Sequence, residues 1–262
     1  MKKLIYRGLF LAIVGMFAVG CKKELKQTNV ETEKKTFSES PLKSGYNFHY
    51  VGPVHNIVLD NLMNHSGWEN MTSSEQSKYA DSITKVELLS LNKDTTSMPN
   101  GFSLTYYNHA LSYEGQEVLY ASKVEDFLTD SLDFSSLTID YYGELLSFIL
   151  KSNHEGSESE DTKSEILSFA MDIETEESIS DIEKEFLRGA SSVAYYSISY
   201  WVDYDEDNPA GLSGWWKKAL ADVGGFTSGF VGSLVYNNNS SGNVNPFSAG
   251  GTVGGLASKL AG

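Results

Sequence analysis

The sequence predicts a mainly α-helical protein, an irregular helical bundle that ends in a glycine-rich helical hairpin. Three observations support this prediction. Apolar residues recur at helical spacing over most of the region from residue 46 to about residue 204. Capping and turn signals separate these periodic segments. After residue 210, glycines recur every four residues, and no charged residue occurs between Val223 and Ser258.

The composition restricts the classes of function that the chain can have. Its 262 residues suffice for one or two domains. A single cysteine excludes an intramolecular disulfide framework and a metal site built from several cysteines. The formal net charge of -15 predicts no nucleic-acid partner, because phosphate contacts need a basic face.

The first 20 residues have the pattern of an export signal. Basic residues near the start precede an uncharged run over residues 9–19, which is shorter than the roughly 20 apolar residues of a membrane span. The run closes with Ala18-Val19-Gly20-Cys21, which resembles a bacterial lipoprotein signal with its lipobox. The resemblance implies cleavage between Gly20 and Cys21 and acyl chains on Cys21. An ordinary secretory signal with a chance cysteine is the alternative.

The residues after Cys21 suggest where a lipid-anchored chain would reside. Residue 22 is lysine rather than the aspartate of an inner-membrane retention signal, so the resemblance implies the outer membrane or the cell surface. Cys-Lys-Lys-Glu is also similar to the start of surface lipoproteins of the Bacteroidetes type. We therefore divide the chain into a signal (1–20), a polar flexible tether (21–44), an acidic helical domain (45–205) and a hydrophobic tail (210–262).

The first half of the helical domain is predicted element by element. Gly52-Pro53 suits the start of a helix, and the apolar positions that follow it are Val54, Ile57, Val58, Leu62 and Met63. A second helix is predicted over residues 73–90. Pro99-Asn100-Gly101 predicts a turn, and residues 102–107 a short strand. Helices are then predicted over residues 114–128 and 137–150.

The second half begins with a very polar segment, residues 152–161, which predicts an exposed loop. A helix through Ile166 and Ile173 follows, and Ser180 with Glu183 forms a capping box that opens a helix to about Trp201. The acidic stretch over residues 153–187 lacks the ligand spacing of an EF-hand, so we interpret it as solvated helix faces rather than a calcium site. The tail helices are predicted over residues 213–236 and 247–261.

The histidines provide the candidate chemistry. The segment over residues 52–60 resembles a Gly-x-x-His-Asn-x-x-Leu-Asp segment of uncharacterised Bacteroidetes proteins. That resemblance makes His55, Asn56 and Asp60 the polar positions to test, and it implies no assigned activity. No metalloprotease, nucleophile-elbow or phosphate-loop motif occurs. We therefore predict a non-enzymatic protein with no cofactor and no metal; a metal-dependent hydrolase around His49, His55 and Asp60 is the least favoured reading.

The tail carries small residues at spacings of four, which place them on one helix face where two backbones can approach closely. The glycines predicted to pack helices together are Gly225, Gly229, Gly232, Gly250, Gly251, Gly254 and Gly255. This pattern resembles glycine-zipper segments and the chains of two-peptide, pore-forming bacteriocins. The resemblance implies membrane insertion after helix pairing. The run from Trp215 to Lys218 resembles an interfacial anchor.

Three functional hypotheses follow from the sequence. The leading one is a non-enzymatic, lipid-anchored outer-membrane or cell-surface protein whose tail serves membrane insertion or helix–helix contact, in a bacteriocin-like role in one version. The alternative is a helical binding module for an unidentified envelope or extracellular partner, with the tail packed as core. A metal-dependent hydrolase is the third.

Overall fold

The computed structural model describes residues 49–95, 102–112, 115–131, 134–155, 159–207, 214–240 and 243–261. Within these ranges the chain forms α-helices and one 3-10 helix and no strand, which confirms the predicted all-α class. The signal, the lipidation site Cys21 with Gly20 before it, and the tether lie outside the described residues.

The helices follow one another with short connections. In chain order they are α1 (Val51–Met63), a 3-10 turn (Trp68–Asn70), α2 (Ser73–Ser90), α3 (Phe102–Leu111), α4 (Glu117–Ser131), α5 (Ser136–Glu155), α6 (Ser159–Thr175), α7 (Asp181–Asp207), α8 (Trp215–Asn239) and α9 (Pro246–Ala261).

The short strand expected over residues 102–107 is wrong, because this segment is the start of α3. Phe102 and Tyr106 are four residues apart and therefore share one helix face, with their ring centroids 5.2 Å apart. The Phe102 ring also meets Tyr236 of α8 edge-on at 5.9 Å. Tertiary packing of this aromatic face therefore favours a helix over the alternation that suggested a strand. The exposed loop expected over residues 152–161 is also wrong at both ends, since α5 extends to Glu155 and α6 begins at Ser159, while residues 156–158 lie outside the described residues.

Side-chain caps begin two of the helices. Thr72 and Glu75 form a reciprocal capping box at the start of α2. At the start of α7, the Glu183 carboxylate accepts hydrogen bonds from the backbone N–H of Ser180 at 2.8 Å and from its hydroxyl at 2.6 Å. The same carboxylate accepts from the N–H of Ser135 at 2.5 Å. Glu183 therefore connects the start of α7 to the segment just before α5.

The glycine-rich helices α8 and α9 lie at the centre of the fold. They pack against each other, α8 also contacts α4, α5 and α7, and α9 also contacts α1, α2 and α3. Every residue from Ala219 to Ser233 and from Ser248 to Ser258 is buried. The aromatic centre of the core is on the same elements, with Phe230 of α8 packing against Phe226, against Phe186 of α7 and against Phe247 of α9.

The sequence suggests that residues 210–262 form a tail separate from the helical domain. In the structure, residues 46–262 form one compact unit. The physical reason is that the uncharged, glycine-rich stretch of these two helices, residues 223–258, has too little polar surface to remain in water, so the amphipathic helices before it cover it. Among the described residues, no helix combines the length and the apolar character that crossing a membrane requires.

Candidate functional site

The contact between α8 and α9 is built on glycine. A Cβ added at Gly225 would lie 2.7 Å from the Ala257 side chain and 2.9 Å from the Gly254 Cα. At Gly229, an added Cβ would overlap the Ala249 carbonyl group and lie 2.9 Å from the Gly250 Cα. These pairings run in opposite directions along the two helices, so α8 and α9 are antiparallel. The two backbones touch at points where no side chain larger than hydrogen fits.

The remaining predicted glycines face other partners. A Cβ at Gly250 would lie 2.6 Å from the Phe226 ring, and one at Gly255 would lie 2.7 Å from Val58 of α1. Gly232 faces the Tyr106 ring of α3. Gly251 differs from the others, because its nearest neighbour would be 3.7 Å away, an ordinary van der Waals contact. The glycines thus let several helices approach α8 and α9, not only each other.

A buried polar cluster lies beside this contact. It consists of His55 from α1, Ser197 and Trp201 from α7, Asp222 from α8 and Ser258 from α9, and all five side chains are buried. The His55 Nε2 atom lies 3.0 Å from the Ser258 Oγ atom, and 3.9 Å from the Asp222 Oδ2 atom. The cluster therefore joins four helices that are far apart in sequence.

The Asp222 carboxyl group is the centre of the cluster. Its Oδ2 atom accepts hydrogen bonds from the Trp201 indole at 2.8 Å and from the Ser197 hydroxyl. Its Oδ1 atom contacts the Ser258 hydroxyl, which also lies 2.9 Å from the Gly254 carbonyl oxygen. Hydrogen bonds thus satisfy both carboxyl oxygens inside the core, which is the condition for burying such a group.

Burial shifts both titratable groups towards their neutral forms. The loss of solvation raises the pKa of Asp222 to about 8, although hydrogen bonds from Ser197 and Trp201 and the charge of Lys218 oppose the shift. Desolvation lowers the pKa of His55 to about 4, against the opposing effect of hydrogen bonds with Asn56 and with the Gly254 backbone. At neutral pH the cluster is therefore electrically neutral.

The motif residues predicted from the sequence separate into two environments. Asn56 is buried beside His55, its Oδ1 atom lies 3.1 Å from the His55 Nδ1 atom, and its amide donates to the Tyr196 carbonyl oxygen at 2.8 Å. Asp60 is exposed and accepts a hydrogen bond from the Asn64 side chain at 3.0 Å. The structure therefore brings together His55 and Asn56 and leaves Asp60 on the surface.

Sequence reasoning did not identify Asp222, Ser258, Ser197 and Trp201 as partners of His55. The available signal was that Asp222 is the last charged residue before a long uncharged segment. A charge in such a position is either solvated or satisfied by buried partners. Its partners come from helices separated by up to about 200 residues, so no local pattern contains them.

The buried polar cluster has the residue types of a nucleophile, a base and an acid, all of them enclosed in the core. A nucleophile must reach a substrate, and the side chains of His55, Asp222 and Ser258 have no solvent exposure. A shallow pocket of about 540 Å³ lies elsewhere, lined by Gly115, Gln116, Glu117, Val118, Leu119, Ser122 and Lys217. The cluster joins α1, α7, α8 and α9 through hydrogen bonds inside the core.

The described residues contain no group of three or more His, Cys, Asp or Glu side chains that could hold a metal ion. His49, the other member of the hydrolase hypothesis, stacks on Phe247 and lies 3.5 Å from a carboxylate oxygen of Glu185. His49 and His55 therefore contact different residues. No protein-family model matches the chain, and neither a curated protein nor a solved structure matches it.

Proposed function

We propose that the chain is a lipid-anchored, non-enzymatic protein of the outer membrane or cell surface, in which α8 and α9 form the core of a helical binding module. The observation that carries this proposal is the complete burial of residues 219–233 and 248–258. The partner would be an envelope or extracellular component that docks on the outer helices. Of the two roles open to the glycine-rich pair, helix–helix contact is the one that its burial favours.

The energetics of glycine support this role. Each glycine inside a helix costs roughly 1 kcal/mol relative to alanine, so a solvated pair of such helices would be marginal. Close backbone contact at Gly225 and Gly229 recovers dispersion energy along the row. Burial of Phe226, Phe230 and Val253 adds apolar area removed from water. The contacts made by these glycines therefore offset their low helix propensity only when neighbouring helices enclose them.

The lipid anchor rests on the resemblance at residues 18–21. If the Cys21 thiol carries acyl chains, each buried CH₂ contributes about 0.8 kcal/mol, so two or more chains hold the protein firmly on the membrane. We expect Cys21→Ser to release the protein from the membrane fraction and to abolish labelling with a radioactive fatty acid. Unchanged pelleting with membranes in this variant would contradict lipidation.

A second candidate function is membrane insertion of α8 and α9 after their release from the other helices. It is favoured by the absence of charge between Val223 and Ser258 and by the Lys217 ammonium, which lies 5.4 Å from the Trp216 ring centroid. Aromatic residues beside cations are typical of a membrane interface. In this candidate the pair has to leave α1, α2 and α7 before it meets lipid.

A disulfide that fastens α9 to the outer helices separates the two candidates. The hydroxyl oxygens of Thr84 in α2 and Thr252 in α9 are 2.9 Å apart, so a Thr84→Cys, Thr252→Cys double variant places two thiols opposite each other. Cys21→Ser in the same chain removes the competing thiol. Dye release from anionic liposomes is then measured with the disulfide oxidised and reduced.

The binding-module proposal expects no dye release in either state, because the pair stays in the core. Release by the reduced chain that oxidation suppresses would instead establish insertion. The single variants Thr84→Cys and Thr252→Cys, which cannot form the disulfide, serve as matched controls for the effect of the substitutions themselves.

A further inference from the structure

The hydrogen bonds around Ser258 in the buried polar cluster need at least one more hydrogen than the Ser258 hydroxyl itself supplies. The Ser258 hydroxyl has a single hydrogen and three close neighbours: the His55 Nε2 atom, the Asp222 Oδ1 atom and the Gly254 carbonyl oxygen. The carbonyl oxygen can only accept. At least one of the two titratable neighbours must therefore donate to Ser258.

Asn56 determines which ring nitrogen of His55 carries hydrogen. The Asn56 amide nitrogen donates to the Tyr196 carbonyl oxygen at 2.8 Å, which turns its Oδ1 atom towards the His55 Nδ1 atom at 3.1 Å. Because Oδ1 only accepts, Nδ1 must be protonated. In neutral His55 the Nε2 atom then has a lone pair and accepts from Ser258, whereas the hydrogen bond to the Gly254 backbone belongs to the charged ring. The donor to Ser258 is in that case a protonated Asp222.

We propose that His55 and Asp222 hold a single proton between them through the Ser258 hydroxyl, and that loss of this proton destabilises the packing of α1 against the α8–α9 pair. The proton resides on the Asp222 carboxyl group, with His55 neutral. If it moves to His55 instead, the imidazolium donates to Ser258, Ser258 donates to the carboxylate, and the pair still has no net charge. Removal of the proton leaves a buried carboxylate without a compensating charge.

The charged and titratable groups around the pair are few. His55 comes from α1, Tyr200 from α7 and Lys218 from α8 itself, where its ammonium lies 4.4 Å from the Trp201 ring centroid. Helix α9 contributes the Ser258 hydroxyl, and its Lys259 ammonium lies 6.0 Å from the Trp68 ring centroid. Burial rather than one ionic partner therefore dominates the titration of Asp222.

The direction of the pH effect follows from comparing folded and unfolded chains. In the unfolded chain, the proton that His55 carries leaves near the ordinary histidine pKa of 6.5. In the folded chain, the pair keeps one proton until Asp222 titrates at about 8. The pKa of the retained proton is thus raised by folding. The stability that it contributes is complete below pH 6.5 and is lost as the pH rises through 8, by about 30-fold in the folding equilibrium constant.

The test measures urea unfolding of the chain lacking residues 1–21 at pH 6.0, 7.0 and 8.5. We expect the wild-type folding constant to fall by about 20-fold across this range, and the fall to disappear in Asp222→Asn, which has no proton to lose. Asp81→Asn is the matched control. Asp81 is a partly buried acid that accepts a hydrogen bond from Ser103 at 2.8 Å and has a pKa raised by desolvation to about 6. Because this pKa lies at the lower edge of the window, Asp81 itself contributes only about a twofold fall, so most of the fall should persist in Asp81→Asn.

Spectroscopy on the unmodified protein gives a test that does not depend on how the variants fold. At pH 6.5, the infrared spectrum should contain the C=O stretch of one buried protonated carboxyl group, and ¹⁵N spectra should identify His55 as the neutral Nδ1–H form. An alkaline fall that persists in Asp222→Asn would overturn the proposal. A deprotonated Asp222 together with an unprotonated Nε2 atom in the wild type would overturn it as well.

Discussion

At the scale of single residues, the space around each glycine decides whether a methyl group can be added. Gly229 and Gly251 are both buried glycines inside helices, yet only Gly229 abuts a neighbouring backbone. The gain in helix propensity on replacement by alanine is the same, about 1 kcal/mol. Alanine substitutions at the two sites therefore distinguish the effect of packing on stability from the effect of helix propensity.

We expect Gly229→Ala to lower the free energy of unfolding by about 1–3 kcal/mol, because α8 and α9 must move apart. Gly251→Ala should raise it by up to about 1 kcal/mol, since its Cβ would meet nothing closer than 3.7 Å. Urea unfolding of both variants is the measurement. Equal gains at the two sites would show that no close helix contact exists at Gly229.

A second comparison concerns two buried threonines of the α8–α9 pair. The Thr227 hydroxyl is buried and has no hydrogen-bond partner among the described residues, whereas the Thr252 hydroxyl donates to Thr84 at 2.9 Å. Thr227→Val should raise the free energy of unfolding by about 1 kcal/mol, because an unpaired buried hydroxyl is costly. Thr252→Val should lower it by about 1–3 kcal/mol. Calorimetric melting of the two variants checks these opposite signs, and a loss in both would refute the argument.

At the scale of elements, Glu183 connects two helix starts. Burial acts to raise the pKa of Glu183, but hydrogen bonds from Ser180 and Ser135 outweigh it and lower the pKa to about 2. A depressed folded pKa contributes stability that is present above the ordinary value of 4.5 and is lost as the pH falls through 2. The junction between α5 and α7 is thus an acid-sensitive point of the fold.

We expect Glu183→Gln to lower the free energy of unfolding at pH 7 by about 1–2 kcal/mol, because an amide accepts fewer and weaker hydrogen bonds than a carboxylate. The loss of stability between pH 4.5 and pH 2 should become smaller in this variant. Glu165→Gln, on the exposed face of α6, is the control and should change neither quantity. Chemical denaturation at pH 7, 4.5 and 3 measures both effects.

Local patterns in the sequence predict most of the helices but fewer of the contacts between them. The helical spacing of Ile166 and Ile173 and the pairing of Ser180 with Glu183 are contained within a few residues, so the corresponding helices are predictable. The strand expected at residues 102–107 failed because Phe102 is placed by Tyr236, more than 100 residues away. Likewise, Asp222 is explained only by partners on α1, α7 and α9, which no window of sequence contains together.

At the scale of the whole molecule, the sequence suggests an acidic helical domain over residues 45–205, whereas the structure encloses α8 and α9 inside it. The apolar faces of α1, α2, α4 and α7 point at these two helices. Removal of residues 210–262 would therefore expose the core of everything that remains.

We expect the isolated fragment 45–205 to retain helical far-ultraviolet circular dichroism and to lose cooperative unfolding, as in a molten globule. Binding of a hydrophobic dye and rapid amide hydrogen exchange should accompany this loss. The chain lacking residues 1–44 but keeping residues 45–262 is the matched control, with a sharp transition. A cooperative transition in the shorter fragment would show that the outer helices have a core of their own.

The central position of α9 also orders the events of biosynthesis. The described helices that pack on α9, from α1 with Val51 to α8 with Gly229, precede it in the chain, so their contacts with α9 cannot form until residues 246–261 have been translated. A nascent chain would leave the ribosome with these apolar faces uncovered, which is the state that chaperones bind.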